Sequence, residues 1–390
     1  MSRPPELLFV AGEVSGDMHA ALLLRALRKL DPTVRGYGIG GDELEAAGAE
    51  LHYHVRDMAV MGFAEVIRRL PFFRRALGRM VELARERRPD AVILVDYPGF
   101  NLRFAKKARA LGLKVIYYIC PQVWAWNRGR IPGMAASVDR LLSIFPFEPG
   151  VFEKTGLKVD FVGHPLVDEI RHFMSQPRRE LPWGSDCRIA LLPGSRAQEI
   201  ERLLPVLVEA GAIIESHRPD VSFLIPAPSR ELGERIRSRL AALPRKPARL
   251  GVVDGGTREV LRQARAAFVK SGTASLEAAL IGCPMAVVYK TSPITYHLAK
   301  WLVRIPHIGI ANLIADRKVC PELIQGDASP PRLAAALEPL LADGPARTDM
   351  LRGFDDVRAA LGGGKAAERA AAIIVEELRQ PRRDRQPTSR

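Results

Sequence analysis

Cysteine is scarce in this chain. The four present, Cys120, Cys187, Cys283 and Cys320, are scattered over 390 residues with no C-x-x-C pair. That spacing argues against a zinc site and a disulfide framework, and it fits a reducing cytoplasm. The eight histidines, His52 and His54 among them, show no metal-ligand spacing, so neither a bound metal nor another cofactor is expected. No apolar run reaches the roughly 18 residues that a membrane span needs, so any membrane association is expected to be peripheral. Residues 1–6 are short and polar before a strand begins at Leu7, and no signal peptide is read there. Also missing are a G-x-G-x-x-G fingerprint and a P-loop lysine, which disfavours a nicotinamide dehydrogenase or an ATPase. Acidic residues are in deficit, 44 against 58 Lys and Arg, leaving a net charge of +14. An excess of that size suggests nucleic acid, an anionic bilayer or a phosphorylated substrate as partner; plain solubility charge or an Arg-rich composition explains it equally well. No aromatic-basic motif of an RNA-binding module accompanies it, so nucleic acid is not expected.

What the chain does contain is a strand–helix rhythm. Short apolar runs at Leu7–Ala11, Arg35–Ile39, Ala91–Val95, Lys114–Ile119, Arg140–Ile144 and Val159–Val162 read as strands. Between them lie helical stretches such as His19–Lys29, with Leu22, Leu23, Leu24 and Leu27 expected inward, and Phe104–Leu111. The rhythm breaks over Ile170–Asp186, which carries Pro177, Pro182 and Gly184, and resumes with strands at Ile189–Leu192, Val221–Ile225, Ala266–Val269 and Met285–Val288. Near-continuous apolar strands alternating with helices predict parallel sheets covered on both faces. The expected architecture is therefore two doubly wound Rossmann-like domains, 1–175 and 176–365, facing across a cleft. A helix at 366–378, entered through Gly362-Gly363-Gly364, packs back or exchanges with a partner subunit, and 379–390 forms a disordered basic tail.

Four loops at predicted strand ends carry candidate chemistry. Gly12, Glu13, Ser15, Gly16 and Asp17 follow the first strand. They read as a ligand-facing loop on a helix N-terminus, or as a tight turn capped by Ser15 or Asp17. Asp96, after the buried run Ala91–Val95, is placed to act as a general base on a sugar hydroxyl, or is a turn residue beside Pro98 and Gly99. Gly194, Ser195 and Arg196 can hold a diphosphate through N–H groups, a hydroxyl and a guanidinium, or form an exposed turn. Ser271, Gly272 and Thr273 open a helix start suited to phosphate, with Glu277 one turn on and able to accept from ribose hydroxyls; Thr273 and Glu277 also suit helix capping. His164 lines the cleft or hydrogen-bonds within its turn.

A fifth segment, residues 58–80, mixes Val60, Met61, Phe63, Ile67, Leu70, Phe72 and Phe73 with Arg68, Arg69, Arg74, Arg75 and Arg79. It suits an interfacial helix on an anionic bilayer, a pocket for acyl chains, or two amphipathic core helices broken at Pro71. A similar run, 296–305, contains Trp301.

In order along the chain stand AGEVSGD at 11–17, GIGGDELEAAG at 38–48, MAVMGFAEV at 58–66, VDYPGFN at 95–101, PQVWAWNRGR at 121–130, FVGHPL at 161–166, LLPGSRAQEI at 191–200, SGTASLEAAL at 271–280 and ANLI at 311–314. Together these motifs resemble the lipid-A-disaccharide synthase family of inverting, two-Rossmann-domain (GT-B) glycosyltransferases, over nearly the whole chain. The resemblance implies transfer from UDP-2,3-diacylglucosamine to 2,3-diacylglucosamine 1-phosphate, giving a β-1′,6 disaccharide and UDP. The implied setting is the cytoplasmic face of a Gram-negative inner membrane. It implies Asp96 as catalytic base and Arg196, Glu277 and Asn312 in donor handling or catalysis. It also implies an apolar membrane and acyl patch in the first domain, and a possible homodimer with exchanged C-terminal segments. Rival readings are a UDP-sugar 2-epimerase or lipid-linked glucosaminyltransferase on the same scaffold, and a membrane-surface binding protein without catalysis.

Overall fold

The computed structural model describes residues 3–58, 68–293, 295–296, 301 and 305–380. The chain divides into two units, Met1–Pro165 with Gly364–Arg390, and Leu166–Gly363.

The first unit is built on β1 (Glu6–Ala11), β2 (Arg35–Gly40), β3 (Glu50–His54), β4 (Ala91–Val95), β5 (Val115–Tyr118), β6 (Arg140–Ser143) and β7 (Lys158–Phe161). They form one sheet in the order β3-β2-β1-β4-β5-β6-β7, with every neighbouring pair parallel. β4 is buried along its whole length, as its uninterrupted aliphatic run requires when helices cover both faces. The helix Val14–Leu30 returns the chain from β1 to β2. Its Ala20, Leu23, Leu24 and Leu27 are buried, but Leu22 is 38% exposed, against expectation. At 100° per residue, position 22 falls outside the 20/23/24/27 stripe.

The second unit contains β8 (Cys187–Leu192), β9 (Val221–Ala227), β10 (Leu250–Asp254), β11 (Ala266–Lys270), β12 (Met285–Tyr289) and β13 (Glu322–Ile324). They form a parallel sheet in the order β10-β9-β8-β11-β12-β13. Each sheet reverses its winding at one place, between β1 and β4 in the first and between β8 and β11 in the second. Ligands of open α/β sheets bind beyond the strand ends at such a point.

The boundary differs from the expected 175/176. The helix Leu166–Ser175 belongs to the second unit and packs on the helix Thr273–Ile281. Its Glu169 accepts from Arg258 at 2.8 Å, and the Arg262 guanidinium lies 4.7 Å from the Phe173 ring centre. The Pro/Gly stretch that follows is thus a loop within a unit; composition marks a break in secondary structure but not which core the flanking helix joins.

The helix Ala366–Arg379 packs on Val14–Leu30 of its own chain. It is pinned by charged contacts. Arg140 donates to Glu377 at 3.0 Å, Lys114 donates to the Gln380 carbonyl at 3.1 Å, and Arg369 donates to the Val162 carbonyl at 2.7 Å. Among the described residues no helix is long and apolar enough to cross a membrane.

Candidate active site

β1 and β4 pair in register, Ala11 opposite Val95. Gly12 and Asp96 therefore leave the sheet side by side at its switch point. The chain turns sharply there: Asp96 and Tyr97 both have positive φ, 44° and 46°, a conformation that costs a non-glycine residue free energy and persists only when neighbours enforce it. Three groups enforce it. Asn101 donates to the Asp96 carbonyl at 2.7 Å, Tyr117 donates its hydroxyl to the same oxygen, and the Asp96 N–H reaches the Tyr118 carbonyl at 3.2 Å. Two residues beyond the expected site, Asn101 in the same motif and Tyr117 on β5, therefore hold the Asp96 main chain in place. Asn101 stands close to Asp96 in the sequence; nothing local marks Tyr117.

Burial and then the Glu13 carboxylate, opposed by the Tyr97 N–H, push the Asp96 carboxyl up to about 6. A carboxylate tuned toward neutrality is suited to accept a proton from a hydroxyl.

The loop after β1 divides into two parts. Glu13, Val14 and Ser15 are exposed at the start of Val14–Leu30, and no side chain caps that helix. Gly16 and Asp17 are buried. The Asp17 carboxylate is taken up by the N–H groups of Gly41, Glu43 and Leu44, at 2.6, 3.1 and 3.1 Å. It thus caps the helix Asp42–Ala46, which corrects its assignment to the acceptor side. Gly12 also differs from expectation. A Cβ there would lie 2.2 Å from the Tyr97 ring, so the space that glycine leaves is filled by the protein itself. His164 packs its ring against Phe145 at 5.1 Å, and burial, then His19, lowers it to about 3.

Beside Tyr97 lies a cavity of about 270 Å³ lined by Leu70, Phe73, Leu77, Tyr97 and Phe100, with Arg74 and Arg103 also contributing. Val60, Met61, Phe63 and Ile67 fall outside the described residues, as does most of the run 296–305, of which Trp301 is exposed. Arg68 is exposed, while Arg69 and Leu70 are half-buried. Phe72 and Phe73 are half-buried against the core and stack edge-on, and the Arg69 guanidinium lies 5.1 Å from the Phe72 ring centre. Pro71 sits in the first turn of Leu70–Arg87, after a turn at Arg69, where its missing N–H has no intrahelical role.

In the second unit Leu192 pairs with Val269, so the loops after β8 and β11 also emerge together. They line a cavity of about 790 Å³ with Gly194, Ser195, Arg196, Ser271, Gly272, Thr273 and Glu277. That is a size suited to a nucleotide-sized ligand. The expected diphosphate cradle at Ser195 and Arg196 needs correction. Their N–H groups donate to Glu199, at 3.0 and 3.3 Å. Gly194, with φ of 123°, clears the way for that carboxylate, since a Cβ there would meet it at 2.5 Å. What remains available is cationic. The Arg196 side chain is 78% exposed and held only at 3.2 Å by Glu199. Lys270, absent from the expected site, pairs with Glu199 at 2.9 Å. Burial would raise the Glu199 carboxyl, but the Lys270 ammonium, the Ser195 N–H and Arg196 hold it below its usual value. The helix Thr273–Ile281 starts without a side-chain cap, leaving its dipole end open to an anion. Glu277 accepts from Arg258 at 2.7 Å. Gly255 and Gly256, after β10, complete the wall with positive φ.

Asn312 does not line this cavity. It is fully buried, and its amide is saturated. It accepts from the Val319 and Cys320 N–H groups at 2.7 and 2.9 Å and donates to the Cys320 carbonyl at 2.9 Å and to Glu322 at 2.7 Å. Glu322 in turn accepts from the Ile308 and Gly309 N–H groups, and Ser271 donates to the Ile308 carbonyl at 2.8 Å. The expected direct donor contact is therefore corrected to a positioning role reaching Ser271 through Glu322. Asn312→Ala strands two buried N–H groups and a carboxylate, so it is expected to cost on the order of 3 kcal/mol. Calorimetry should show a Tm several degrees lower; an unchanged Tm would remove this network from the account.

Among the described residues no group of three His, Cys, Asp or Glu could hold a metal ion.

The family model described as lipid-A-disaccharide synthetase matches residues 7–374. The lipid-A-disaccharide synthase of Myxococcus xanthus is 42% identical over 381 residues, 97% of this chain and 99% of that one. That of Geobacter metallireducens is 40% identical over 380 residues, 96% and 98% of the two chains. Among solved structures, a putative UDP-N-acetylglucosamine 2-epimerase from Listeria monocytogenes superposes with a TM-score of 0.65 at 15% identity, over 97% of both chains. Acinetobacter baumannii MurG does so with 0.58 at 15% identity, over 96% of this chain and 100% of that one. The distant structures share the two-Rossmann-domain fold of GT-B glycosyltransferases and epimerases and no more. The similarity of sequence, by contrast, spans nearly the whole chain: the chain belongs to the lipid-A-disaccharide synthase family.

Proposed function

We propose that this glycosyltransferase moves 2,3-diacylglucosamine from UDP-2,3-diacylglucosamine to the 6-hydroxyl of 2,3-diacylglucosamine 1-phosphate. The observation that carries the reading is Asp96: a carboxyl raised to about 6, locked at the switch point next to an apolar cavity of acyl-chain character. Asp96 takes the proton from the 6-hydroxyl as its oxygen bonds to the anomeric carbon. The bond from that carbon to the diphosphate breaks in the same displacement, and UDP leaves with the electron pair. One displacement inverts the configuration, giving the β-1′,6 linkage.

The cavity of the second unit takes the UDP moiety. Arg196, Lys270 and the open start of Thr273–Ile281 offset the growing diphosphate charge. Because protein cations fill that role, adding EDTA should leave the turnover rate unchanged; loss of activity restored by Mg²⁺ would overturn this part. The exposed arginines Arg68, Arg74 and Arg75 suit peripheral contact with an anionic bilayer at the cytoplasmic face.

The test is incubation with both acylated substrates and mass spectrometry of the products. A tetraacyl disaccharide 1-phosphate plus UDP is expected. Its absence, with epimerisation of a free UDP-sugar instead, would favour the epimerase reading.

A further inference from the structure

The helix Pro98–Ala110 separates two cavities of opposite character. On one side, where it packs against Leu70–Arg87, lies the apolar cavity described above. On the other, where it packs against Ile131–Ser137, lies a second cavity of about 320 Å³. Its charged lining is Arg103, Lys106 and Arg130, and among the described residues no carboxylate contributes to its wall. Arg103 and Lys106 stand three residues apart on one helix face, and Arg130 is supplied by the short turn Arg128–Arg130. All three are exposed. Like charges at that spacing repel, so a site of this kind is relieved by an anion. Gly99 and Arg103 line both cavities. Pro98 and Gly99, which begin the wall of the basic cavity, follow Asp96 by two and three residues. An amphiphile with an acyl chain beside an anionic head fits the pair of cavities, chain on one side of Arg103 and head on the other.

We infer that Arg103, Lys106 and Arg130 form the subsite for the phosphate monoester of the acylated acceptor, and so select a phosphorylated acceptor over a neutral one. This rests on the reading of Asp96 as the acceptor's base. With the acylated sugar anchored beside Tyr97, its anomeric phosphate and the 6-hydroxymethyl group stand on the two carbons that flank the ring oxygen, so the phosphate lies within one sugar ring of the hydroxyl that Asp96 deprotonates. A guanidinium or ammonium on a phosphate oxygen makes a charge-assisted hydrogen bond.

The experiment compares wild type with Lys106→Gln/Arg130→Gln, which leaves the acyl cavity's own lining untouched, in detergent micelles free of anionic lipid. Two acceptors are used, 2,3-diacylglucosamine 1-phosphate and the same sugar with a free 1-hydroxyl. The variant is expected to raise KM for the phosphorylated acceptor about tenfold or more. KM for the donor and for the unphosphorylated acceptor should stay within about twofold, the scatter expected of surface changes. The charge-conserving pair Lys106→Arg/Arg130→Lys should recover part of the loss. Equal effects on both acceptors would overturn the subsite. So would loss of binding to phosphatidylglycerol vesicles with acceptor discrimination intact, which would assign the cations to bilayer headgroups. Equilibrium binding of both acceptors is measured in parallel. A wild type that prefers the phosphorylated sugar through these cations yet transfers nothing supports the subsite and sinks the reaction. Transfer without that preference does the reverse.

Discussion

Asp96→Asn should lower kcat by about 10²–10⁴-fold, the range lost with a general base, while the protein still folds and binds UDP. The amide is nearly isosteric, and the bonds that hold residue 96 in its left-handed turn run to its backbone, from Asn101 and Tyr117. They survive the substitution. UDP binding should be spared because the cavity assigned to it draws its lining from residues 173 to 277. Wild-type activity carries a second signature. With the carboxyl at about 6, the base is protonated and inactive at low pH, so kcat/KM should rise with pH through about 6 and then level. Glu13 raises that value, so Glu13→Gln should move the rise to lower pH. Near-normal turnover by Asp96→Asn, or a profile that does not respond at Glu13, would remove Asp96 from the role of base.

Arg196→Ala is expected to lower kcat/KM by about 10²–10³-fold, as loss of one donor to a developing charge typically does. The diphosphate gains charge as the glycosidic bond breaks, so a cation able to move onto it stabilises the transition state more than the bound donor. Arg196 meets that description: it is mostly exposed, and the neighbouring Glu199 holds it at 3.2 Å on the surface. Arg258, by contrast, is fixed between Glu169 and Glu277. Steady-state kinetics with donor titration decides the point. A change confined to donor KM, with kcat intact, would show that Arg196 only binds the ground state.

The strands that sequence patterning missed are instructive. β3, β10 and β13 all stand at sheet edges. Their residues are half-exposed, so their sequences, ELHYH, LGVVD and ELI, lack the long apolar run that marked β4 or β11. Burial on both faces writes itself into composition; burial on one does not. The candidate site shows the same asymmetry. Asp96 and the Ser271–Thr273 helix start could be read because a polar or small residue interrupts an apolar run at the carboxyl end of a strand. Asp17 stood in an equivalent loop and Asn312 was implied by the family resemblance alone, yet their side chains turn inward to cap a helix and brace a loop. Lys270 went unread because one lysine ending a strand differs in no local way from a solvent-facing one.

By itself the sequence determined the two parallel sheets, their strand-to-helix order and the loops that carry the chemistry, because hydrophobic periodicity and glycine placement are local properties. Tertiary structure alone decided which polar side chains those loops leave available. Whether a carboxylate or amide meets a ligand or a backbone N–H depends on partners supplied by other segments: Gly41 for Asp17, Cys320 for Asn312, Lys270 for Glu199. Those partners meet only once the chain has folded, Lys270 and Glu199 because β11 pairs with β8 out of sequence, and hydrogen-bond satisfaction in the folded core then claims some groups and spares others.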